Sequence, residues 1–172
     1  WRFSQFIIFY VRSKNIYHLH HSFVYEFCQK VLEDQRNFYI FGDIEVVRER
    51  YRHNHTFVTQ EDHGAGNPIL NKSSNKCRTV SQIYKRSSST RLKGYILTRI
   101  VLFVKAKKII ELGTNLGIGS AHLHGALRSS IFVGIEASKT FVEFTERTLN
   151  TLHLSNYQIK HGNFDEYFKD IL

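Results

Sequence analysis

The residues best suited to ligand chemistry lie in a glycine-rich segment, residues 109–120, which begins as a short apolar run. Its glycines fall as Gly-x-x-x-Gly-x-Gly at Gly113, Gly117 and Gly119. Glycine permits positive φ angles and lets a ligand lie close to the backbone. The spacing differs from the Gly-x-Gly-x-x-Gly turn that binds dinucleotide phosphates, so an NAD-type site is not favoured. A tight strand-to-helix turn without a ligand remains the alternative.

Two carboxylates and a polar turn make this segment more specific. Glu111 lies inside the end of the apolar run, where a buried carboxylate is costly unless a partner such as a cationic ligand satisfies it. Glu136 ends a second apolar run 25 residues later, a position at which an acid binds ribose hydroxyls in dinucleotide folds. Asn163, Phe164 and Asp165 follow a third run, where they could hold an adenine. A solvated carboxylate at Glu136, and helix caps at Asn163 and Asp165, are the alternatives.

The elements that must position these groups alternate between strand and helix. Apolar β-prone runs cover residues 109–112, 131–135 and 157–160, and helix-like stretches cover 120–127 and 138–152. This alternation predicts a parallel sheet with right-handed helical crossovers, whose carboxyl ends form a ligand crevice. In the second helix one stripe faces the core, formed by Phe141, Phe144, Thr145, Thr148 and Leu152.

The upstream half reads as helical. Helices are predicted over residues 3–13 and 22–34, over 43–54 with Asp43 as the cap, and over 79–86. A further helix over 90–104 should bury Leu92, Tyr95, Ile96, Ile100 and Phe103. Residues 55–78 lose periodicity and collect Gly, Asn and Ser, which indicates a loop. We therefore expect an N-terminal helical extension and linker over 1–78 and a partial ligand-binding domain over 79–172.

The segment Glu111-Leu-Gly-Thr-Asn-Leu-Gly117 resembles motif I of class I S-adenosylmethionine (SAM)-dependent methyltransferases, in the form typical of the branch related to catechol O-methyltransferases. Residues 19–25 and the Asp-His-Gly-Ala-Gly loop at 62–66 look like a bacterial methyltransferase family with a helical N-terminal extension. The likeness covers nearly the whole chain, and its motif I part is the specific one. The fold it implies is α/β: the N-terminal helical region, then the first half, three parallel strands, of a Rossmann-like methyltransferase sheet.

The resemblance implies SAM as the cofactor and methyl transfer to an unidentified acceptor as the reaction. The methionine part of SAM would be surrounded by Glu111, Gly113, Thr114, Asn115 and Gly117, its ribose held by Glu136, and its adenine bordered by Asn163, Phe164 and Asp165. Many relatives carry a hydroxyl residue at the position of Gly119, and Ser120 could replace it. The family's substrate-side acids would follow Leu172, so no catalytic residue is assigned. We expect a fragment that is weakly active or inactive alone, and poorly soluble or dimeric.

Composition restricts the remaining partners. The net charge is +9, and residues 1–108 carry +11 of it against −2 for the rest. A non-enzymatic module that binds RNA or protein on a degenerate SAM fold is therefore the competing hypothesis, although charge alone does not define a site. Two distant cysteines and the absence of a secretory signal favour a cytoplasmic protein. No apolar run reaches the ~20 residues of a membrane span, and the ten histidines lack metal-ligand spacing, so no metal is expected.

Overall fold

The computed structural model describes residues 2–13, 20–60 and 76–171. The chain forms two compact units, Trp1–Arg36 and Asn37–Leu172. The first unit contains α1 (Arg2–Arg12) and α2 (Ser22–Phe27), which continues as a π-helical turn over Cys28–Leu32. These helices lie where the sequence predicts them. The expected functional boundary after residue 78 stays a prediction.

The second unit begins with a helix and a small hairpin. Helix α3 spans Tyr39–Arg52 and follows an extended Phe38, so Asp43 lies inside the helix and the predicted cap at Asp43 is wrong. The helix starts earlier because its buried stripe already begins with the apolar Ile40 and Phe41. Strands β1 (Phe57–Gln60) and β2 (Lys76–Thr79) pair antiparallel in the segment predicted as a loop. Four-residue strands are too short to show a periodicity in the sequence.

Two capped helices lead to the sheet. In α4 (Val80–Ser87), Thr79 and Gln82 form a reciprocal capping box, and in α5 (Arg91–Val104) the Thr90 hydroxyl caps the first turn. The predicted inward face of α5 is partly wrong. Leu92 is 66% exposed, and the fully buried positions are Gly94, Thr98, Arg99 and Val101. The buried face differs because α5 packs closely, through Gly94, on the helix that carries His122. A Cβ at Gly94 would collide with the His122 ring.

The main sheet is parallel, with the order β3 (Lys108–Leu112), β4 (Ile131–Glu136), β5 (Tyr157–His161). Helices α6 (Ile118–Ala126) and α7 (Lys139–Thr151) form the two crossovers, and α8 (Phe164–Ile171) follows β5. The α/β alternation predicted from the sequence is thus confirmed. So is the inward stripe of α7, where four of the five predicted residues are buried and Phe144 is half-buried.

One core holds the second unit together. Its largest fully buried apolar side chains come from the sheet, from both crossovers and from the helices before the sheet: Ile44, Ile83, Leu116, Ile118, Phe132, Ile135 and Leu149. Helix α3 therefore packs as part of the same core as the parallel sheet. This packing determines where the glycine loop between β3 and α6 lies.

Candidate functional site

The glycine loop between β3 and α6 needs its glycines. Three residues there have left-handed backbone: Gly113 (φ 81°), Asn115 (φ 52°) and Gly117 (φ 76°). A Cβ at Gly117 would also lie 2.9 Å from the Cα of Thr145 on α7. The Gly113 N–H donates to Ile135 O (2.8 Å), and the Gly117 N–H donates to Thr114 O (2.9 Å). The loop is thus held against the carboxyl end of β4, as the sequence predicts.

Glu111 lies at the end of β3, directly beside the start of α6. The Ser120 hydroxyl donates to its Oε2 atom, and a Cβ at Gly119 would stand 2.6 Å from its Oε1 atom. Burial raises the pKa of Glu111 to about 7, the Ser120 hydrogen bond opposes that rise, and the charge of Glu136 adds to it. In the part of the chain that the structure describes, no cationic side chain forms an ion pair with Glu111.

Glu136 is buried at the end of β4 and is held by two backbone amides. Its Oε2 atom accepts from the Asn115 N–H at 2.9 Å, and its Oε1 atom accepts from the Ser138 N–H at 3.1 Å. A carboxylate oxygen has two lone pairs, so each oxygen can accept one more hydrogen bond. The glycine loop and the second carboxylate are therefore one connected structure.

A cavity of about 50 Å³ lies between the loop and the turn before α5. Glu111, Gly113, Asn115 and Gly119 line it, together with Ser87, Ser88 and Ser89. Two buried oxygens at this place, Ser88 Oγ and Asn115 Oδ1, have no hydrogen-bond partner among the described residues. Buried polar atoms without a partner are rare, so these two indicate a place for a polar ligand or water. The three serines lie between the helices predicted over 79–86 and 90–104, and nothing in their order indicates that they lie near Glu111.

The other residues predicted for the site lie on two sides of the loop. Thr114 is buried and is among the residues that line the cavity, and its hydroxyl lies 2.8 Å from the hydroxyl of Thr145 on α7. Phe164 is 41% exposed, and its ring edge lies 3.8 Å from a Cβ placed on Gly113. Asn163 directly precedes α8 and its N–H donates to Glu166 (3.3 Å), while Asp165 is exposed in the first turn. For Asn163 and Asp165, helix-start and ligand roles both stay open.

A second group of buried polar side chains lies among α3, α5 and α6. Arg48 forms an ion pair with Glu45 (3.2 Å), and Arg91 donates to the same carboxylate (2.6 Å). Arg48 Nη2 lies 3.4 Å from His122 Nε2, and Thr98 Oγ1 lies 3.3 Å from His122 Nδ1. Burial, and then the charge of Arg48, lowers the pKa of His122 to about 4. Because Arg48 can only donate, His122 is the neutral Nδ1–H form.

Several expectations fall on other parts of the chain. The loop at 62–66, with His63, lies outside the described residues. Within residues 2–13, 20–60 and 76–171, no three His, Cys, Asp or Glu side chains stand close enough together to hold a metal ion. No helix in those ranges combines the length and apolar character needed to cross a membrane.

No protein-family model matches the sequence, and no curated protein matches it. Solved structures do resemble the fold. The methyltransferase PaMTH1 of Podospora anserina, with bound S-adenosylhomocysteine (SAH), aligns with 93% of this chain at 12% identity and a TM-score of 0.55. An O-methyltransferase of Bacillus cereus in complex with SAH aligns with 85% at 14% identity and a TM-score of 0.51.

The chain spans little more than half the length of these two structures, 57% and 52% respectively. Identities this low concern the fold rather than the activity. The three parallel strands, their two crossover helices and the glycine loop nevertheless agree with the arrangement that the sequence predicts. The chain is thus similar in fold to part of these two methyltransferase structures, with three parallel strands of a Rossmann-like sheet.

Proposed function

We propose that this chain binds SAM at the glycine loop and supplies the cofactor-binding half of a methyltransferase. The observation that carries the proposal is the pair of carboxylates at the ends of neighbouring parallel strands. Glu111 is desolvated without an ion-pair partner among the described residues, and Glu136 is fixed by the loop's own amide. A desolvated carboxylate that also feels the charge of a second one is costly unless a ligand compensates it.

The residues fit the two ends of SAM in different ways. The ammonium group of its methionine part would offset the charge of Glu111, with Ser88 and Asn115 supplying unpartnered oxygens nearby. The free lone pairs of Glu136 suit the adjacent hydroxyls of a ribose. Phe164 beside Gly113 offers an aromatic face for adenine. A cavity of about 50 Å³ has room for only a few atoms, so the rest of the ligand would lie along the open carboxyl edge of the sheet.

SAM supplies an electrophilic methyl group on a sulfonium, and the acceptor would be a nucleophile held in line with it. We propose oxygen as the acceptor atom, since both structural relatives above are methyltransferases and the one from B. cereus is described as an O-methyltransferase. The residues of this chain that line the loop would bind and orient the cofactor. We propose no residue of this chain as the base that would deprotonate the acceptor.

A thermal-shift experiment tests the proposal. SAH at a hundred times its dissociation constant should stabilise the folded chain by about 2.7 kcal/mol, because it binds only the native state. NAD⁺ at the same concentration should give no shift. Stabilisation by NAD⁺ but not by SAH would replace the proposal with an oxidoreductase site. Salt-dependent RNA binding with no SAH shift would favour the competing RNA-binding module.

A further inference from the structure

The side chains behind the glycine loop form a connected set of hydroxyl hydrogen bonds. Thr148 on α7 donates to the carbonyl oxygen of Leu116 (2.8 Å), and one turn earlier Thr145 lies 3.0 Å from the carbonyl oxygen of Asn115. Thr145 also lies 2.8 Å from the hydroxyl of Thr114. Two threonines on one helix therefore contact three successive residues of the loop.

The set extends to a helix that precedes the sheet in sequence. The hydroxyl oxygens of Tyr51, on α3, and Thr148 are 2.6 Å apart. Because the single proton of Thr148 is used on Leu116 O, Tyr51 must donate to Thr148. Burial raises the pKa of Tyr51, so its hydroxyl stays protonated and remains a donor. Helix α3 thus reaches the loop through one side chain of α7.

The position of these hydroxyls matters because the loop backbone is otherwise unfavourable. Asn115 holds a left-handed conformation without being glycine, and Gly117 lies so close to α7 that a Cβ there would stand 2.9 Å from the Cα of Thr145. The carbonyl oxygens of Asn115 and Leu116 lie within hydrogen-bond distance of the threonine hydroxyls of α7. The N–H of Asn115, in the preceding peptide, donates to Glu136 instead.

We infer that Thr145, Thr148 and Tyr51 are positioning residues that hold the glycine loop in its ligand-binding conformation. The inference rests on the proposed SAM site for its functional consequence. It also assigns the helix before the sheet a part in that site, through the Tyr51–Thr148 contact. None of the three side chains lines the cavity next to Glu111.

The test compares Thr148→Val, which keeps the shape and removes the hydroxyl, with Thr148→Ser, which keeps the hydroxyl. If Thr148→Val leaves the loop in the binding conformation a tenth of the time, SAH should bind about tenfold more weakly by calorimetry. Thr148→Ser should bind within twofold of the wild type. Val142→Ala, on the same buried side of α7 but without a bond to the loop, controls for a general loss of stability.

Amide hydrogen exchange gives a readout that needs no cofactor. In Thr148→Val the Gly117 and Asn115 amides should exchange about tenfold faster than in Val142→Ala after correction for global stability. Equal exchange and equal SAH affinity in these two variants would overturn the inference. If the wild-type chain binds no SAH, the proposed function is refuted. The exchange rates would still show whether the hydroxyls hold the loop in place.

Tyr51→Phe tests the link to α3. Its effect should be smaller, about threefold in SAH affinity, because Thr148 keeps its bond to Leu116. Combined with Thr148→Val it should add little, because in that background the Tyr51 hydroxyl keeps only the carbonyl oxygen of Phe144 (3.4 Å) and has no contact that leads to the loop. Additive effects of the two substitutions would show that Tyr51 does not act through Thr148.

Discussion

Two groups of buried polar side chains lie in the second unit, and they differ in how their charges are balanced. Around His122, the carboxylate of Glu45 meets the guanidinium groups of Arg48 and Arg91, and the neutral imidazole accepts from Arg48. Beside the glycine loop, burial and the charge of Glu136 both raise the pKa of Glu111, and among the described residues the side chain that hydrogen-bonds to Glu111 is the Ser120 hydroxyl.

We propose that this difference distinguishes a structural cluster around His122 from a ligand site at the glycine loop. In the first group, charges of opposite sign neutralise one another, although Glu45 Oε1 and Arg48 Nε form no hydrogen bond among the described residues. At the glycine loop, the like charges of Glu111 and Glu136 lie near buried oxygens that have no hydrogen-bond partner among the described residues. This arrangement is unfavourable without a ligand, and a ligand that carries a cation would stabilise it. Three experiments should reveal this contrast, and they follow in decreasing order of expected effect.

The largest effect is expected in the balanced cluster. Arg48→Met removes the cation between Glu45 and His122 and leaves a partly buried carboxylate with one remaining partner. Breaking a buried ion pair in this way costs about 3–5 kcal/mol in the free energy of unfolding, which denaturant titration measures. At temperatures where the variant is folded, its SAH affinity should stay within threefold of the wild type. A loss of affinity without a loss of stability would mean that the cluster belongs to the ligand site.

At the glycine loop, removing a charge is expected to raise the free energy of unfolding rather than lower it. With a folded-state pKa of about 7 against an ordinary value of 4.5, Glu111 binds a proton more readily in the native state than when unfolded. Native stability therefore falls as the pH rises from about 4.5 to 7, because the buried carboxylate must ionise. Glu111→Gln should raise the free energy of unfolding at pH 8 by about 1–3 kcal/mol and leave it unchanged at pH 4.

Glu143→Gln, on the exposed side of α7, makes the same charge change as a control and should alter stability by less than about 0.5 kcal/mol. Destabilisation by Glu111→Gln at pH 8 would show that Glu111 is satisfied within the protein. The contrast between the two regions would then fail.

A smaller effect concerns the pH dependence of ligand binding. If the ammonium group of SAH pairs with ionised Glu111, binding must release the proton that the free protein holds below pH 7. With a pKa of about 7, SAH affinity should then rise about 25-fold between pH 5.5 and pH 7.5, which is about 1.9 kcal/mol. The slope should vanish in Glu111→Gln. A wild-type affinity that is flat over this range would place the amine elsewhere.

Much of the loop could be predicted because its requirements are local. Gly113 and Gly117 have the backbone angles that favour glycine, and the alternation of apolar runs was enough to predict the three strands. What the sequence did not reveal depends on contacts between distant segments. Ser88 reaches the cavity only because α5 packs on α6, and Thr148 reaches Leu116 across 32 positions.

The errors have the same origin. Leu92 satisfies the helical period of α5 but is exposed, because Gly94 rather than a large side chain meets α6. Strands β1 and β2 form by pairing with each other, and no local sequence pattern predicts that pairing. Apolar periodicity predicts the buried face of an element only where that face packs against its neighbour through large side chains.

The most direct test of the central claim is the SAH affinity of Glu136→Gln against that of Glu143→Gln, measured by calorimetry at pH 7.5. Hydrogen bonds to a charged group contribute roughly 1.5–3 kcal/mol each, so losing the Glu136 charge should weaken binding by at least about tenfold. Glu143→Gln should match the wild type. Equal affinity in the two variants, or no saturable binding of SAH to the wild-type chain, would contradict the account.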